Sequence, residues 1–439
     1  MTFGCQMNVG DADWLRFALE ARGWEHVDEE RAQVFLLSTC SVREKPEQKV
    51  YSLLGRLQKT YWQKDRQIFV GVGGCVAQQI GERFWQRFPF VRLIYGTDGV
   101  PMVPQALERL RDTDGLRVSL LDFMEHYPER ESYLPDRLPP QAFVNIMQGC
   151  DNFCAYCIVP FTRGRQKSRQ ASVIVDECRR LVARGVREIT LLGQNVNSFG
   201  LDRHGDGTSF ANLLRQVAGV DGLERLRFTT SHPKDIAPDV IAAFGELSVL
   251  CPQLHLPLQS GSDAVLQAMG RRYTLEKYMR IVEDLRKVCP QIALSTDMIV
   301  GFPGESEADF EKTLAAMQEV GFESSFSFKY SDRPGTRAAK LENKIDEQEK
   351  ARRLFTLQAL QEELTMKSLN ARVGRQEIIL VEGRSRKQAE SVCWQGRDGG
   401  GRIVHCQGPD DELTGRMLPV WITDAHKHCL LAEAGGRPW

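Results

Sequence analysis

Short apolar runs alternate with amphipathic stretches of helical period through most of this chain, and that alternation restricts it to α/β folds in which helices cover parallel strands. Met1 to Phe3 reads as the stub of a strand, followed by Gly4, Cys5 and a helix that carries Trp14, Phe17, Ala18 and Ala21 on one face and stops at Gly23. Val34 to Leu37 is a second strand and runs into Ser38, Thr39 and Cys40 before a helix beginning near Pro46. Ile68 to Val72 is a third, ending at Gly73, Gly74 and Cys75. Ligands of open α/β sheets sit at the carboxyl ends of the strands, so Cys5, Cys40 and Cys75 are expected to meet at one point. Three thiolates on one side suit an iron–sulfur cluster with one free iron. The alternative is three ordinary buried cysteines, yet all three occupy the same place in successive units, two of them after glycine.

Twelve cysteines stand in a chain with no leader-like start and no apolar run of membrane-spanning length, so it reads as soluble and cytoplasmic, with no membrane partner. In a reducing compartment such cysteines point to metal or catalytic roles rather than disulfides. With 57 basic and 58 acidic residues the net charge is only -1, so any nucleic-acid binding has to come from local patches.

After Pro139 and Pro140, the strand Phe143 to Ile146 leads into Gly149 and a Cys150, Cys154, Cys157 loop of spacing Cys-x3-Cys-x2-Cys. Three cysteines in one loop can ligate three irons of a 4Fe-4S cube, and no fourth follows nearby to close it. A zinc site on Cys154 and Cys157 would need a second ligand pair, for which Cys178 is the next candidate. This loop, with Tyr156 before its last cysteine, resembles that of the radical S-adenosylmethionine (SAM) superfamily. The resemblance implies that the open iron chelates SAM and that reductive cleavage yields methionine and a 5'-deoxyadenosyl radical.

Strand-like runs follow at Glu188 to Leu192, Leu226 to Thr229, Gln253 to Leu256, Ala293 to Val300 and Ser325 to Lys329, with helical stretches between them. With the first strand they are similar to the partial (βα)6 barrel of that superfamily. Gln194, Asn195, Ser231, Gln259, Asp297 and Gly301 fall at or near strand carboxyl ends, where barrels keep functional residues, and are with Tyr156 the expected SAM contacts. Ordinary turn chemistry is the alternative for each.

Gly4-Cys5-Gln6-Met7-Asn8, Ser38-Thr39-Cys40-Ser41-Val42-Arg43-Glu44-Lys45, Gly73-Gly74-Cys75 and the Cys150 loop together resemble the methylthiotransferase family over nearly the whole chain. Val42 to Lys45 and Ile158 to Gly164 resemble its branch acting on isopentenyl-adenosine beside the tRNA anticodon. Sister branches act on threonylcarbamoyl-adenosine or on an aspartate of a ribosomal protein. The resemblance implies two 4Fe-4S clusters, the one on Cys5, Cys40 and Cys75 holding the sulfur that is methylated and transferred. One SAM donates the methyl group and a second the radical. The expected partners are tRNA, SAM and an electron donor such as flavodoxin or ferredoxin, with the chain a monomer. A non-catalytic iron–sulfur sensor that binds RNA is the rival of a different class.

From about Arg372 the character changes to short alternating strands, such as Glu377 to Val381 and Met417 to Ile422, with glycine-rich turns, which resembles the small β-barrel TRAM domain of RNA-modifying enzymes. The expected division is 1–130 for the N-terminal α/β domain, 140–370 for the partial barrel and 371–434 for the TRAM-like barrel. Arg384, Arg386 and Lys387 are candidate phosphate contacts there. The run Arg163, Arg165, Lys167 and Arg169 beside the cysteine loop is the stronger RNA-binding candidate.

Overall fold

The computed structural model describes residues 1–40, 44–64, 68–128, 130–131, 133–135, 138–385 and 393–439. Strands β1 (Thr2–Phe3), β2 (Val34–Thr39), β3 (Phe69–Gly74), β4 (Val91–Tyr95) and β5 (Val118–Leu120) form one parallel sheet, ordered in space as in sequence. Sequence patterning picks out only the first three. Arg92 interrupts the apolar run of β4, and β5 has three residues, too few for a period to register. Both faces of the sheet are covered, which is why its strands read as continuous apolar runs. Leu37, Leu54, Val70 and Ile94 pack in one core, while Leu15, Leu93, Tyr95 and Leu107 pack in the other.

Six parallel strands follow in spatial order: β6 (Gln141–Asn145), β9 (Glu188–Leu192), β10 (Arg225–Phe228), β11 (Gln253–His255), β12 (Ala293–Val300) and β13 (Ser324–Lys329). β10 joins the second trio through Leu226, which pairs with Leu250 just ahead of β11. Among the described residues β13 does not pair back to β6, so the barrel is partial. At its rim β7 (Met147–Gln148) and β8 (Lys167–Ser168) make a short antiparallel ribbon that brackets the Cys150 loop. Ile189, Leu191, Leu226 and Leu294 belong to one core with helix residues such as Ile174, Leu214 and Leu285.

The C-terminal strands β14 (Gln376–Arg384), β15 (Cys393–Arg397), β16 (Ile403–Gln407), β17 (Met417–His426) and β18 (Cys429–Ala434) close into a barrel of order β14-β15-β16-β18-β17 around Val381, Trp394, Val404, Leu418 and Leu430. This barrel seals the mouth formed by the amino ends of the six-strand sheet. Gln141, first in β6, donates to Glu382 at 3.1 Å. Arg225, first in β10, donates to the carbonyls of Arg397 and Ile378 at 2.7 and 2.6 Å. Arg227 donates to those of Asp398 and Gly399, and Arg402 pairs with Glu323 beside β13. Guanidinium forks suit this joint because each satisfies several carbonyls that no strand partner reaches. The cysteine loop lies at the opposite, carboxyl end of the strands.

Candidate active site

The Cys150 loop is held from all sides. Gly149 sits at φ +80°, and a Cβ there would lie 2.0 Å from the Arg165 carbonyl oxygen, so only glycine fits where the loop's two ends cross. Its amide donates to Gln194 Oε1 at 2.6 Å, which ties the loop to the end of β9. Ala155 N–H donates to the Met269 carbonyl at 2.7 Å, and Arg337 donates to the Phe153 carbonyl at 3.0 Å. Burial pushes the Cys150 thiol up to about 11 and the Cys157 thiol up to about 12, with neighbouring Cys154 adding to both. Such thiols stay protonated until something displaces the proton, and iron does so by binding thiolate. Arg271 donates to Cys154 Sγ at 3.6 Å, and His232 Nε2 stands 4.0 Å from the same sulfur.

Around the loop, the positions expected to contact SAM carry unsatisfied polarity. Asn195 Oδ1, Ser231 Oγ and Gln259 Oε1 are buried without a partner among the described residues. Buried polar atoms are nearly always paired, so three orphans at the carboxyl ends of three strands fit a polar ligand between them. The backbone is strained in the same region: among the described residues the non-glycine positions with positive φ are Phe153, Thr230, Gln259 and Arg272. Asn195 and Asn152 both donate to Asp235, which links β9's end to the cysteine loop. Tyr156 lies by Arg271, its phenol pushed up chiefly by burial. Two expected contacts are otherwise engaged. The Gly301 amide donates to Glu305 Oε2 at 2.6 Å, and Asp297 stands 3.4 Å from His255 Nε2.

The second cysteine set lies across the domain boundary from the first. Cys5 caps the helix Gln6–Glu20, Cys40 follows β2, and Cys75 opens the helix Cys75–Ile80. Gly4 permits their approach, since a Cβ on it would come within 2.6 Å of Cys40 Cβ. The Cys5 thiol is drawn down to about 5 by a hydrogen bond with Cys40, against burial and with help from the charge of Arg163. None of the twelve cysteines is in a disulfide. No three His, Cys, Asp or Glu side chains among the described residues converge closely enough for a single metal ion. Both sets nonetheless offer the donor chemistry of a cube, in which each thiolate takes its own iron and the sulfurs stand further apart than around one ion.

The structure corrects most of the expected RNA contacts. Arg163, Lys167 and Arg169 are only 2%, 2% and 7% exposed. Each is claimed by an acid from another segment: Arg163 by Asp11, Lys167 by Asp98 and Arg169 by Glu177. Charge in a sequence reads as surface, but Asp11 and Asp98 lie far away in the chain, Glu177 lies on the helix that follows Arg169, and only the fold sets them against these cations. Of these four, Arg165 is the exposed one: its side chain is 73% exposed, its Nε pairs with Asp151 at 2.8 Å on the surface, and its guanidinium lies 5.0 Å over the Phe153 ring. Arg384 is half-exposed, packs on Trp394 and pairs with Asp410 at 2.5 Å. Arg386, Lys387 and residues 41–43 lie outside the described residues. Sequence reasoning missed Asn8, Asp11, Asp98 and Gln148 between the domains, and Arg271 beside Cys154. Asn8 stands in the Gly4 to Asn8 motif without a role assigned to it there, and no motif marks the others.

A six-strand partial barrel carrying a three-cysteine loop after its first strand defines a radical SAM protein, and residues 144–317 match the description "Radical SAM superfamily". Residues 1–96 match "Uncharacterized protein family UPF0004". A solved radical S-adenosylmethionine methyltransferase, TsrM, from Kitasatospora setae superposes with a TM-score of 0.56 at 15% identity, over 75% of this chain and 70% of that one, a likeness of fold. The tRNA-2-methylthio-N(6)-dimethylallyladenosine synthase of Nitratidesulfovibrio vulgaris (strain DP4) is 58% identical, over 100% of this chain and 98% of its own. Its namesakes from Oleidesulfovibrio alaskensis and Geobacter sulfurreducens are 56% and 47% identical, over 99% and 98% of this chain and 98% and 96% of their own. The chain belongs to the tRNA-2-methylthio-N(6)-dimethylallyladenosine synthase family. No described helix is long and apolar enough to cross a membrane.

Proposed function

We propose that this chain puts a methylthio group on isopentenyl-adenosine beside the anticodon of tRNA, spending one SAM as methyl donor and another as radical source. The observation that carries the reading is the pair of separate three-cysteine sites, one per domain, in a chain alike over its full length to synthases of that name. Those names favour the adenosine branch over the threonylcarbamoyl-adenosine and ribosomal-protein branches.

Cys150, Cys154 and Cys157 would hold a 4Fe-4S cluster, which would supply the electron for reductive cleavage of SAM. The chain's own residues do the positioning. Gln194 holds the loop through the Gly149 amide, while Asn195, Ser231 and Gln259 present their open polar atoms to SAM and Tyr156 closes the loop side. Cys5, Cys40 and Cys75 hold the second cluster and with it the sulfur to be transferred. Exposed Phe123, Phe153 and Phe161 stand with Arg165 around the loop, the mix of stacking faces and positive charge that single-stranded RNA takes. The fold divides as 1–130, 140–370 and 371–434. The protein works as a cytoplasmic monomer fed by flavodoxin or ferredoxin.

Replacing Cys5, Cys40 and Cys75 together by alanine tests the division of labour. The reconstituted mutant should bind about half the iron and still form 5'-deoxyadenosine from SAM and dithionite, yet make no methylthio nucleoside. Methylthiolation at the parent rate, or loss of SAM cleavage in a folded protein, overturns the two-cluster reading. Absence of 5'-deoxyadenosine from the parent itself would favour a sensor.

A further inference from the structure

Arg163 belongs to the segment that follows the Cys150 loop, yet its side chain is buried in the N-terminal domain's cysteine site. Nη2 donates to Asn8 Oδ1 at 2.8 Å and stands 3.8 Å from Asp11 Oδ2. The guanidinium also contacts the Cys75 thiol. Asn8 lies in the first turn of the helix that Cys5 caps, its Oδ1 3.9 Å from Cys5 Sγ. Two donors are left over: Arg163 Nη1 and Asn8 Nδ2 are both buried without a hydrogen-bond partner among the described residues. Orphaned donors beside a cationic group, at a site of three thiols, call for an anionic acceptor.

We propose that Arg163 and Asn8 form the anion-binding side of the Cys5, Cys40 and Cys75 site and hold the sulfide ligand on its open iron, so that this site is completed only by a residue of the barrel domain. The proposal rests on the iron–sulfur reading above. Asp11 offsets part of the guanidinium charge and fixes its plane, while Asn8 turns its carbonyl to the guanidinium and leaves its amide for the ligand. Positioning by Arg163 couples the two domains at the point where sulfur must be handed over.

The full chain with Cys150, Cys154 and Cys157 replaced by alanine isolates the N-terminal cluster for measurement. After reconstitution, sodium hydrosulfide is titrated against the cluster's electron paramagnetic resonance signal, and the midpoint potential and iron content are read on the same preparations. Arg163→Met should raise the half-saturating hydrosulfide concentration about tenfold or more, since a charged hydrogen bond is lost. It should also shift the midpoint potential negative, because a buried cation favours the more negative reduced cluster. Arg163→Lys should restore the potential but not the full affinity, a split that a merely structural role would not produce. Asn8→Ala should weaken hydrosulfide binding with little change in potential. Parent-like binding in both Arg163→Met and Asn8→Ala overturns the proposal. If Arg163→Met loses its iron, parent-like hydrosulfide binding in both Arg163→Lys and Asn8→Ala overturns it. A parent chain that takes up no iron at all overturns the iron–sulfur reading first, and this proposal with it.

Discussion

Lys167→Met separates the two roles that this lysine's position allows. Its ammonium pairs with Asp98 and donates to the Met124 carbonyl at 3.0 Å, and both members of the pair are buried. Asp98 also accepts from Gln148 Nε2 and, at 2.7 Å, from the Met124 amide. Removing one member of a buried pair costs about 3–5 kcal/mol, because the other charge is stranded. Two donors remain on Asp98 here, which puts the expected loss near the lower end, about 3 kcal/mol. Adding Asp98→Asn removes the stranded charge, so the double mutant should recover about 1 kcal/mol or more. Urea denaturation followed by far-ultraviolet circular dichroism gives the stabilities, and tRNA binding at several salt concentrations gives the electrostatic slope. A lysine bound to phosphate would behave in the opposite way, leaving stability within about 0.5 kcal/mol and cutting the salt slope by about one. That outcome would refute the buried-pair reading and return Lys167 to the RNA face.

Cys154→Ala should abolish formation of 5'-deoxyadenosine, since two thiolates leave the radical cluster short of a ligand; product at the parent rate on chromatography would show the loop misassigned. Arg165→Ala should lower the salt slope of tRNA binding by about one while stability stays within about 0.5 kcal/mol, as fits an exposed side chain. Asp309 completes the capping box of the helix Glu307–Val320 by accepting from Ser306, its N-cap, and also accepts from Ser262 beyond β11, hydrogen bonds that hold its carboxyl down at about 2 against an ordinary 3.8. Its contribution is present above the ordinary value and is lost as pH falls from about 4 toward 2. Asp309→Asn should therefore cost about 1 kcal/mol at neutral pH after allowance for solvent screening, and the gap to the parent should close over that acid range in denaturation curves.

Much of the chemistry is legible in the chain itself, because both cysteine sets owe their placement to local rules. Cys150, Cys154 and Cys157 share one loop, so their spacing alone implies three ligands and an open position. Glu188–Leu192 and Ala293–Val300 run as strands over the ranges their patterning implies, since enough apolar residues remain in each for a buried parallel strand to register. Cys5, Cys40 and Cys75 could be grouped only through the repeated strand-to-helix unit that carries each of them.

Whether a charge faces water or an acid from another domain has no local signature, and there the tertiary structure decided. Arg163, Arg165, Lys167 and Arg169 look equivalent in sequence. The fold buries Arg163 against Asn8 and Asp11, Lys167 against Asp98 and Arg169 against Glu177, while Arg165 stays at the surface in an exposed pair with Asp151. The docking of the C-terminal barrel is of the same kind. Arg225 and Arg227 are two positive residues in a short strand until the carbonyls of Ile378 and Arg397 are brought against the first and those of Asp398 and Gly399 against the second. Desolvation makes the difference, since a buried cation is stable only where acceptors from distant segments meet it, and that meeting is a property of the assembled fold rather than of any stretch of chain.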